Sequence, residues 1–502
     1  MNNQQNYTEE IKAKNTLFSI NFKEVILVNL LIFILAFISF LNIKSNNIIS
    51  DDSEENFRIS YNLIEKGIYS KDGKHSTDLR EPIPIFINAI YLKCFIEIPK
   101  NEDISKILKN SHYVNRILFI NIIYVILILI SVWLLSFKLL KSVFYSFAIV
   151  VLTWFCFLQH DMCLNRLLTE LPASLFLLLF VLSSLYLFEK RNLLYAIITG
   201  FLFGILCLTK SSYFYVSIVS IPIYIMVYFF QKGAIQKNGL KISIYLVLSF
   251  FFTLSPWILR NYLVLNRMEL SSRGDVVLLT RAVKNTMTNE EYKGSFYAYA
   301  PVSFQKTIFD KLGYNENDLL PGGKYCRLIR HQPGDEENVI YGDPNLVTSY
   351  WEKAKAISIG IDKKNKKIID QYGKSKLEAS KRLIFKNLDR HIYMVLPFSW
   401  RGIWSFSGRT YFTIMLFDLL CFLCFFTVPL MAIKNKNNTL FIFSLFSIGI
   451  FVFHALFSHF LWRYSAPLIP ITIISFMVIF KPFINYLYIR INKYKHFSWT
   501  KF

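Results

Sequence analysis

Charge is scarce in this 502-residue chain. Only 18% of residues are Asp, Glu, Lys or Arg, against about 25% in a typical soluble domain. Acidic residues are the scarcer sign, 34 against 56 basic. Seven cysteines are too few for a disulfide framework, and an odd number cannot all pair internally. The chain also has no Gly/Ser linker, no low-complexity tract and no internal repeat. These shortages exclude an ordinary soluble enzyme, a disordered chain and a disulfide scaffold. What is abundant is apolar: 54% hydrophobic and 17% aromatic residues, with a mean hydropathy of +0.37. The apolar residues fall in runs of roughly 17–22, the length at which a helix matches the bilayer's hydrocarbon core.

Ten such runs predict an α-helical polytopic membrane protein with about ten transmembrane helices. They lie at residues 25–43, 114–137, 143–158, 172–188, 193–209, 213–230, 242–259, 411–433, 440–457 and 464–480. The first follows Lys12, Lys14 and Lys23 and lacks a small-residue cleavage site, so it reads as a retained span. With the N-terminus inside, short basic loops sort to one side: Lys138/Lys141, Lys190/Arg191, Lys232/Lys237/Lys241 and Lys434/Lys436. The tail with Lys481, Arg490, Lys493, Lys495 and Lys501 joins them. This is the arrangement the positive-inside rule demands. Part of the +22 net charge is thereby assigned to orientation and anionic lipid. No basic soluble domain with a recognisable motif indicates nucleic acid.

The expected organisation is a cytoplasmic segment 1–24 and a transmembrane module 25–259 whose first outer loop is 44–113. An outer soluble and interfacial lobe 260–409, C-terminal helices 410–481 and a basic cytoplasmic tail 482–502 follow. Residues 83–98 are apolar but short and Pro-led, and residues 391–404 carry Trp400, Arg401 and Trp404. Both read as interfacial helices.

Polar residues at the outer ends of these spans are the candidates for chemistry. Asp51 and Asp52 open an acidic run after the first span. Such residues complement a helix N-terminus, and they also supply a carboxylate base. Arg80 precedes the Pro82/Pro84 element and suits either a phosphate or a lipid headgroup. Asp161, Arg166 and Glu170 lie in a further outer turn, where Thr169-Glu170-Leu-Pro172 is also an ordinary helix start. Gly200-x-x-x-Gly204 signals close helix packing and is followed by Lys210 in a tight turn. Arg260 follows Pro256-Trp257, and Arg463-Tyr464 precedes Pro467 and Pro470. Carboxylates and cations on one surface suit a reaction on an anionic, lipid-linked substrate. A carboxylate takes a proton from an acceptor hydroxyl, and cations stabilise a departing phosphate.

The order and spacing of these elements resemble the GT-C membrane glycosyltransferases. The nearest group is family 39: protein mannosyltransferases, lipid A aminoarabinose transferases and relatives acting on lipopolysaccharide core. The resemblance extends from residue 25 to about residue 480. In the first-loop pattern, Asp52, Ser53, Asn62, Leu63, Gly67, Tyr69 and Ser70 match, while Asn56 and Ser60 depart from an aromatic and an Ala. Arg80–Pro84 is similar to the "Arg/Lys-x-Pro" element with shortened spacing. Thr169-Glu170 matches, Gly200 to Lys210 matches with Lys for Arg, and Pro256–Asn261 and Arg463–Pro470 match fully.

The resemblance implies a cell-envelope enzyme of the plasma (inner) membrane, working on its outer, periplasmic face. The donor would be a polyprenyl-phosphate sugar, the acceptor a lipid, glycan or protein, and the anomeric carbon would invert. Asp52 would be the catalytic base or its orienting partner, with Asp51 its neighbour and Glu170 a further carboxylate. Arg80 would contact the phosphate, with Lys210, Arg260, Arg463 and Tyr464 as further substrate contacts. Some relatives use a divalent cation, for which Asp52, Asp161 and Glu170 are the candidate oxygen ligands; no cofactor is otherwise implied.

Three features are set aside. Cys421-x-x-Cys424 lies in an apolar run without a second pair, and His454 and His459 read as packing residues. The glycosylation patterns at Asn6 and Asn437 face inside in this topology. A transporter or flippase for lipid-linked glycans remains an alternative, though it is expected to show repeats and mid-membrane charge. A glycan polymerase or ligase is the other.

Overall fold

The computed structural model describes residues 22–44, 51–98, 103–229, 236–405 and 412–498; side chains at 228–229, 236–238 and 487–498 are not described. The expectations for Asn6, Lys12, Lys14, Lys232, Lys237, Arg490, Lys493, Lys495 and Lys501 lie outside the described side chains. The described residues form helices and turns, with no strand among them.

Among the described residues, seven helices are long and apolar enough to cross a membrane: Phe22–Leu41, Ser111–Leu140, Glu170–Lys190, Gly239–Leu265, Phe412–Lys434, Asn438–Phe457 and Trp462–Tyr486. The chain is an α-helical polytopic membrane protein. The other three expected spans are shorter apolar helices, Val143–Leu158, Leu193–Thr209 and Ser212–Val227. A 17-residue helix rises about 25 Å, somewhat less than a hydrocarbon core of about 30 Å. The count of ten therefore divides into seven full-length helices and three short ones.

The elements that matter for the site are named in chain order. They are α1 (Phe22–Leu41), α2 (Asp51–Lys66), α3 (Pro82–Phe95), α4 (Ile120–Leu140), α5 (Glu170–Lys190), α6 (Leu193–Thr209) and α7 (Gln236–Leu265). The remainder are α8 (Gly274–Lys284), α9 (Tyr350–Asp362), α10 (Lys376–Lys386), α11 (Val395–Ile403), α12 (Phe412–Lys434), α13 (Asn438–Phe457) and α14 (Ile469–Ser498).

Lipid exposure explains α1. Its buried residues Val28, Ile32, Leu35, Ala36 and Ser39 form one stripe, while Phe22, Leu30 and Phe33 point outward. Because lipid is as apolar as Leu, helix contacts depend on close packing and shared hydrogen bonds. Both appear between α6 and α7. A Cβ at Gly200 would collide with the Leu246 carbonyl, and one at Gly204 with Thr253. Ser249 Oγ donates to the Ile197 carbonyl across the same contact at 2.8 Å. The Gly-x-x-x-Gly spacing is thus a packing device. Pro256 lies inside α7 and removes the N–H that would bond the Phe252 carbonyl. Ser255 Oγ takes that carbonyl instead at 3.1 Å.

α5 fixes the polarity of the bundle. It rises about 30 Å over its 21 residues. At its Lys190 end, Lys138 pairs with Glu189 and Lys481 Nζ donates to the Leu140 carbonyl at 2.5 Å. Its Glu170 end meets Lys210, just past the end of α6. The region between α7 and α12 forms a helical lobe in which α8 packs against α9 and α10. α11 packs back on α13. The two expected interfacial segments are helical, as α3 and as Leu388–Tyr393 with α11.

Candidate functional site

Asp52 sits in the first turn of α2, where the acidic run caps a helix whose opposite face buries Phe57 and Tyr61. Three arginines from distant parts of the chain converge on it. Arg80 Nη2 reaches Oδ1 at 2.6 Å, Arg273 Nη2 reaches Oδ1 at 3.0 Å, and Arg463 Nη2 reaches Oδ2 at 2.6 Å. Their sequence separations from Asp52 are 28, 221 and 411 residues. Arg80 comes from the turn before α3, Arg273 from the residue before α8, and Arg463 from the short helix Trp462–Ser465 that leads into α14.

Glu55 stands one turn along α2 on the same face. It accepts from Arg80 Nε at 3.0 Å and pairs with Lys71 at 2.6 Å. Arg80 is 4% exposed, so these two carboxylates are its solvent. Burial acts to raise the Asp52 pKa, but the guanidiniums of Arg273, Arg80 and Arg463 outweigh it and hold the carboxyl far below its ordinary range. Glu55 follows the same pattern: burial opposes, and Lys71 and Arg80 prevail to lower it.

Glu170 and Lys210 form a second pair nearby, both buried, with Nζ 3.6 Å from Oε1. That is an ion pair but too long for a hydrogen bond. Lys210 Nζ also lies 5.3 Å from the Tyr464 ring centroid, which ties this pair to the Arg463 side of the site. Among the described residues, two buried donors here lack a hydrogen-bond acceptor, Lys210 Nζ and Arg463 Nε, as does one buried acceptor a donor, Glu170 Oε2. Buried donors are nearly always satisfied, so these two mark where a ligand oxygen fits.

The remaining candidates lie apart from Asp52. Arg260 stacks on Tyr69 and Trp257 at 5.3 and 5.0 Å and donates to the Thr77 carbonyl at 2.8 Å. It lines a cavity of about 470 Å³ with Leu63, Ile83, Phe86, Trp257 and Val264. Tyr69, which also lines it, donates its hydroxyl to the Arg80 carbonyl at 3.0 Å, so the cavity adjoins the carboxylate centre. Asp51 is exposed, at φ +54°, and forms no ion pair among the described residues. Asp161 is about half exposed, with Lys44 3.9 Å away and Asn165 donating at 2.9 Å.

Among the described residues no three His, Cys, Asp or Glu side chains group to hold a metal ion. Asp52, Asp161 and Glu170 do not share a site; each faces a different cation. A carboxylate crowded by three guanidiniums is a poor ligand for a divalent ion, so the donor set does not fit one.

Arg273 and Glu55 are the site residues that sequence reading misses. Glu55 carried a signal, its i, i+3 spacing from Asp52. Arg273 had none, being one basic residue in a Lys-rich lobe.

No family model matches the chain, and no curated protein is similar to it in sequence. Among solved structures, an oligosaccharyltransferase of Archaeoglobus fulgidus aligns with it in two forms. The complex with zinc and sulfate covers 93% of this chain at 11% identity with a TM-score of 0.46, and the apo form covers 91% at 10% identity with a TM-score of 0.45. This chain spans about half, 51%, of that protein's length.

Proposed function

We propose that the chain is an integral-membrane glycosyltransferase of GT-C type. It moves a sugar from a polyprenyl-phosphate donor to a hydroxyl of a lipid, glycan or protein acceptor, on the outer face of the plasma membrane. The observation that carries this reading is the single carboxylate of Asp52 inside a ring of cations that retain unused donors. Four cations, Arg80, Arg273, Arg463 and Lys71, meet only two carboxylates, Asp52 and Glu55. A phosphate oxygen satisfies Lys210 Nζ and Arg463 Nε and offsets the surplus charge.

The chemistry then follows from competition. With no donor bound, Asp52 is the counter-ion of three arginines and is a weak base. A donor phosphate takes over those guanidiniums, and the basicity of Asp52 recovers. Asp52 then accepts the acceptor's hydroxyl proton as its oxygen attacks the anomeric carbon. The carbon–phosphate-oxygen bond breaks, the configuration inverts, and polyprenyl phosphate leaves into the cationic ring. The apolar cavity edged by Arg260 suits the first units of the polyprenyl chain.

The test is transfer by the purified full-length chain in lipid nanodiscs, given polyprenyl-phosphate sugars and a membrane extract. Wild type is expected to transfer and Asp52→Asn to lose transfer while remaining folded. Retained activity in Asp52→Asn would sink the base assignment.

A further inference from the structure

Past Arg463 the cations continue but the carboxylates stop. Lys284, the last residue of α8, is 3% exposed. Its Nζ donates to Tyr299 Oη at 3.1 Å and faces the rings of Tyr299 and Phe398. Arg401 on α11 stacks over the Tyr299 ring at 4.5 Å and, among the described residues, donates only to the His459 carbonyl, at 3.2 Å. Arg281, fully buried one turn before Lys284, donates to the His391 carbonyl at 2.7 Å. None of the three pairs with a carboxylate among the described residues, whereas Arg327 in the same lobe has Glu291 at 3.3 Å. Arg327, whose side chain is 37% accessible, is given an acid, while the far more deeply buried Lys284 and Arg281 are given none among the described residues.

A second observation points into the same place. His459 is 1% exposed, and its Nδ1 has no hydrogen-bond partner among the described residues. Its ring packs against Trp351 at 4.8 Å, and exposed Arg330 stacks over the Trp351 ring at 4.3 Å. Burial, with Arg401 and Arg281 beside it, pulls the Lys284 pKa well below its ordinary value. Burial, with Lys284, Arg401, Arg463 and Arg330 around it, does the same to His459. Cations crowded together without an acid are costly to bury, and an anion removes that cost.

We propose that Lys284, Arg401 and His459, with Arg330 at the exposed rim, form a second anion-binding subsite. It takes an acidic group of the acceptor, a phosphate ester or a sugar carboxylate. The proposal rests on the transferase reading for the word acceptor. The link to the reaction centre is short: Tyr464 Oη lies 3.4 Å from His459 Nε2, and its neighbour Arg463 holds Asp52. An acceptor anchored by its acid here presents a hydroxyl toward Asp52. The sequence offers His459 only as a packing residue; its role depends on what α8 and α11 bring to it.

Two measurements on the full-length protein test this. The first is the thermal midpoint in detergent against inorganic phosphate and, separately, glucuronate. Lys284→Met and Arg401→Gln are expected to weaken the response to either anion about tenfold, the loss of one charged contact. Lys284→Met is also expected to start from a higher midpoint without anion, because it removes an uncompensated buried charge. An unchanged anion response in both variants overturns the subsite, as does a lowered midpoint in Lys284→Met. The second is transfer kinetics. Arg401→Gln is expected to raise the acceptor KM about tenfold and leave the donor KM in place. A raised donor KM with an unchanged acceptor KM overturns the acceptor assignment. If wild type transfers nothing, the transferase reading fails, and the anion titration still decides the subsite.

Discussion

Around Asp52, four cations meet two carboxylates; around Lys284, two buried cations (Lys284 and Arg281), half-buried Arg401 and a histidine meet none among the described residues. The clusters share a wall, Arg463–Tyr464–His459, so their difference is not one of location in the fold. A balanced cluster holds its own shape and must be displaced by a ligand. An unbalanced one is incomplete until a ligand arrives. The first suits a group that reacts, where a carboxylate must be freed on cue. The second suits a group that is only held.

The largest effect that can break this contrast is on turnover. Asp52→Asn should lower transfer about 10³-fold, measured as product formed per enzyme at saturating donor. An effect of only a few-fold would place Asp52 among the holding residues and erase the distinction. Arg273→Ala comes next, with kcat/KM expected to fall about 10²-fold through lost stabilisation of the leaving phosphate. Arg273 is more exposed than Arg80, its side chain being 36% accessible against 4%. Its removal therefore reports on chemistry with less damage to packing.

Stability separates the clusters by sign. Glu170→Gln leaves Lys210 buried without its acid and should cost about 3 kcal/mol. Adding Lys210→Met to it should recover most of that loss. Lys284→Met should stabilise. Thermal melts of the four proteins check this, and a destabilised Lys284→Met would make both clusters structural in the same sense.

Much of this was legible in the residues. Apolar runs gave the helices because lipid permits little else, and the Gly200/Gly204 spacing gave the α6–α7 contact. Asp52, Arg80, Glu170, Lys210 and Arg463 stood out because charge is rare in such a chain. The convergence did not stand out. Arg463 and Arg273 reach Asp52 across 411 and 221 residues, and no local period records that. Each of the ten apolar runs is helical, three of them shorter than the other seven, and an apolar run does not itself set the helix length. Of the two adjacent carboxylates, Asp52 faces the cations and Asp51 is exposed, a difference that the acidic run alone does not encode.

The smallest expected effect concerns pH, and it probes how the balanced cluster is opened. The Asp52 carboxyl is held below its ordinary value of 3.8 by Arg273, Arg80 and Arg463, against the opposing pull of burial. A depressed folded-state pKa means the ion-pair contribution to stability is complete above 3.8 and is lost only as pH falls through the lower folded value. Stability between pH 5 and 9 should therefore not vary through Asp52. The kcat/KM profile reports the free enzyme, so it should show no acid limb from Asp52 in that range. The kcat profile reports the donor-bound enzyme. If the phosphate draws the guanidiniums away, the acid limb of kcat should appear at higher pH than any limb of kcat/KM. Coincident limbs in the two profiles would mean the arginines stay on Asp52 throughout, and the balanced cluster would then be a fixture rather than a switch.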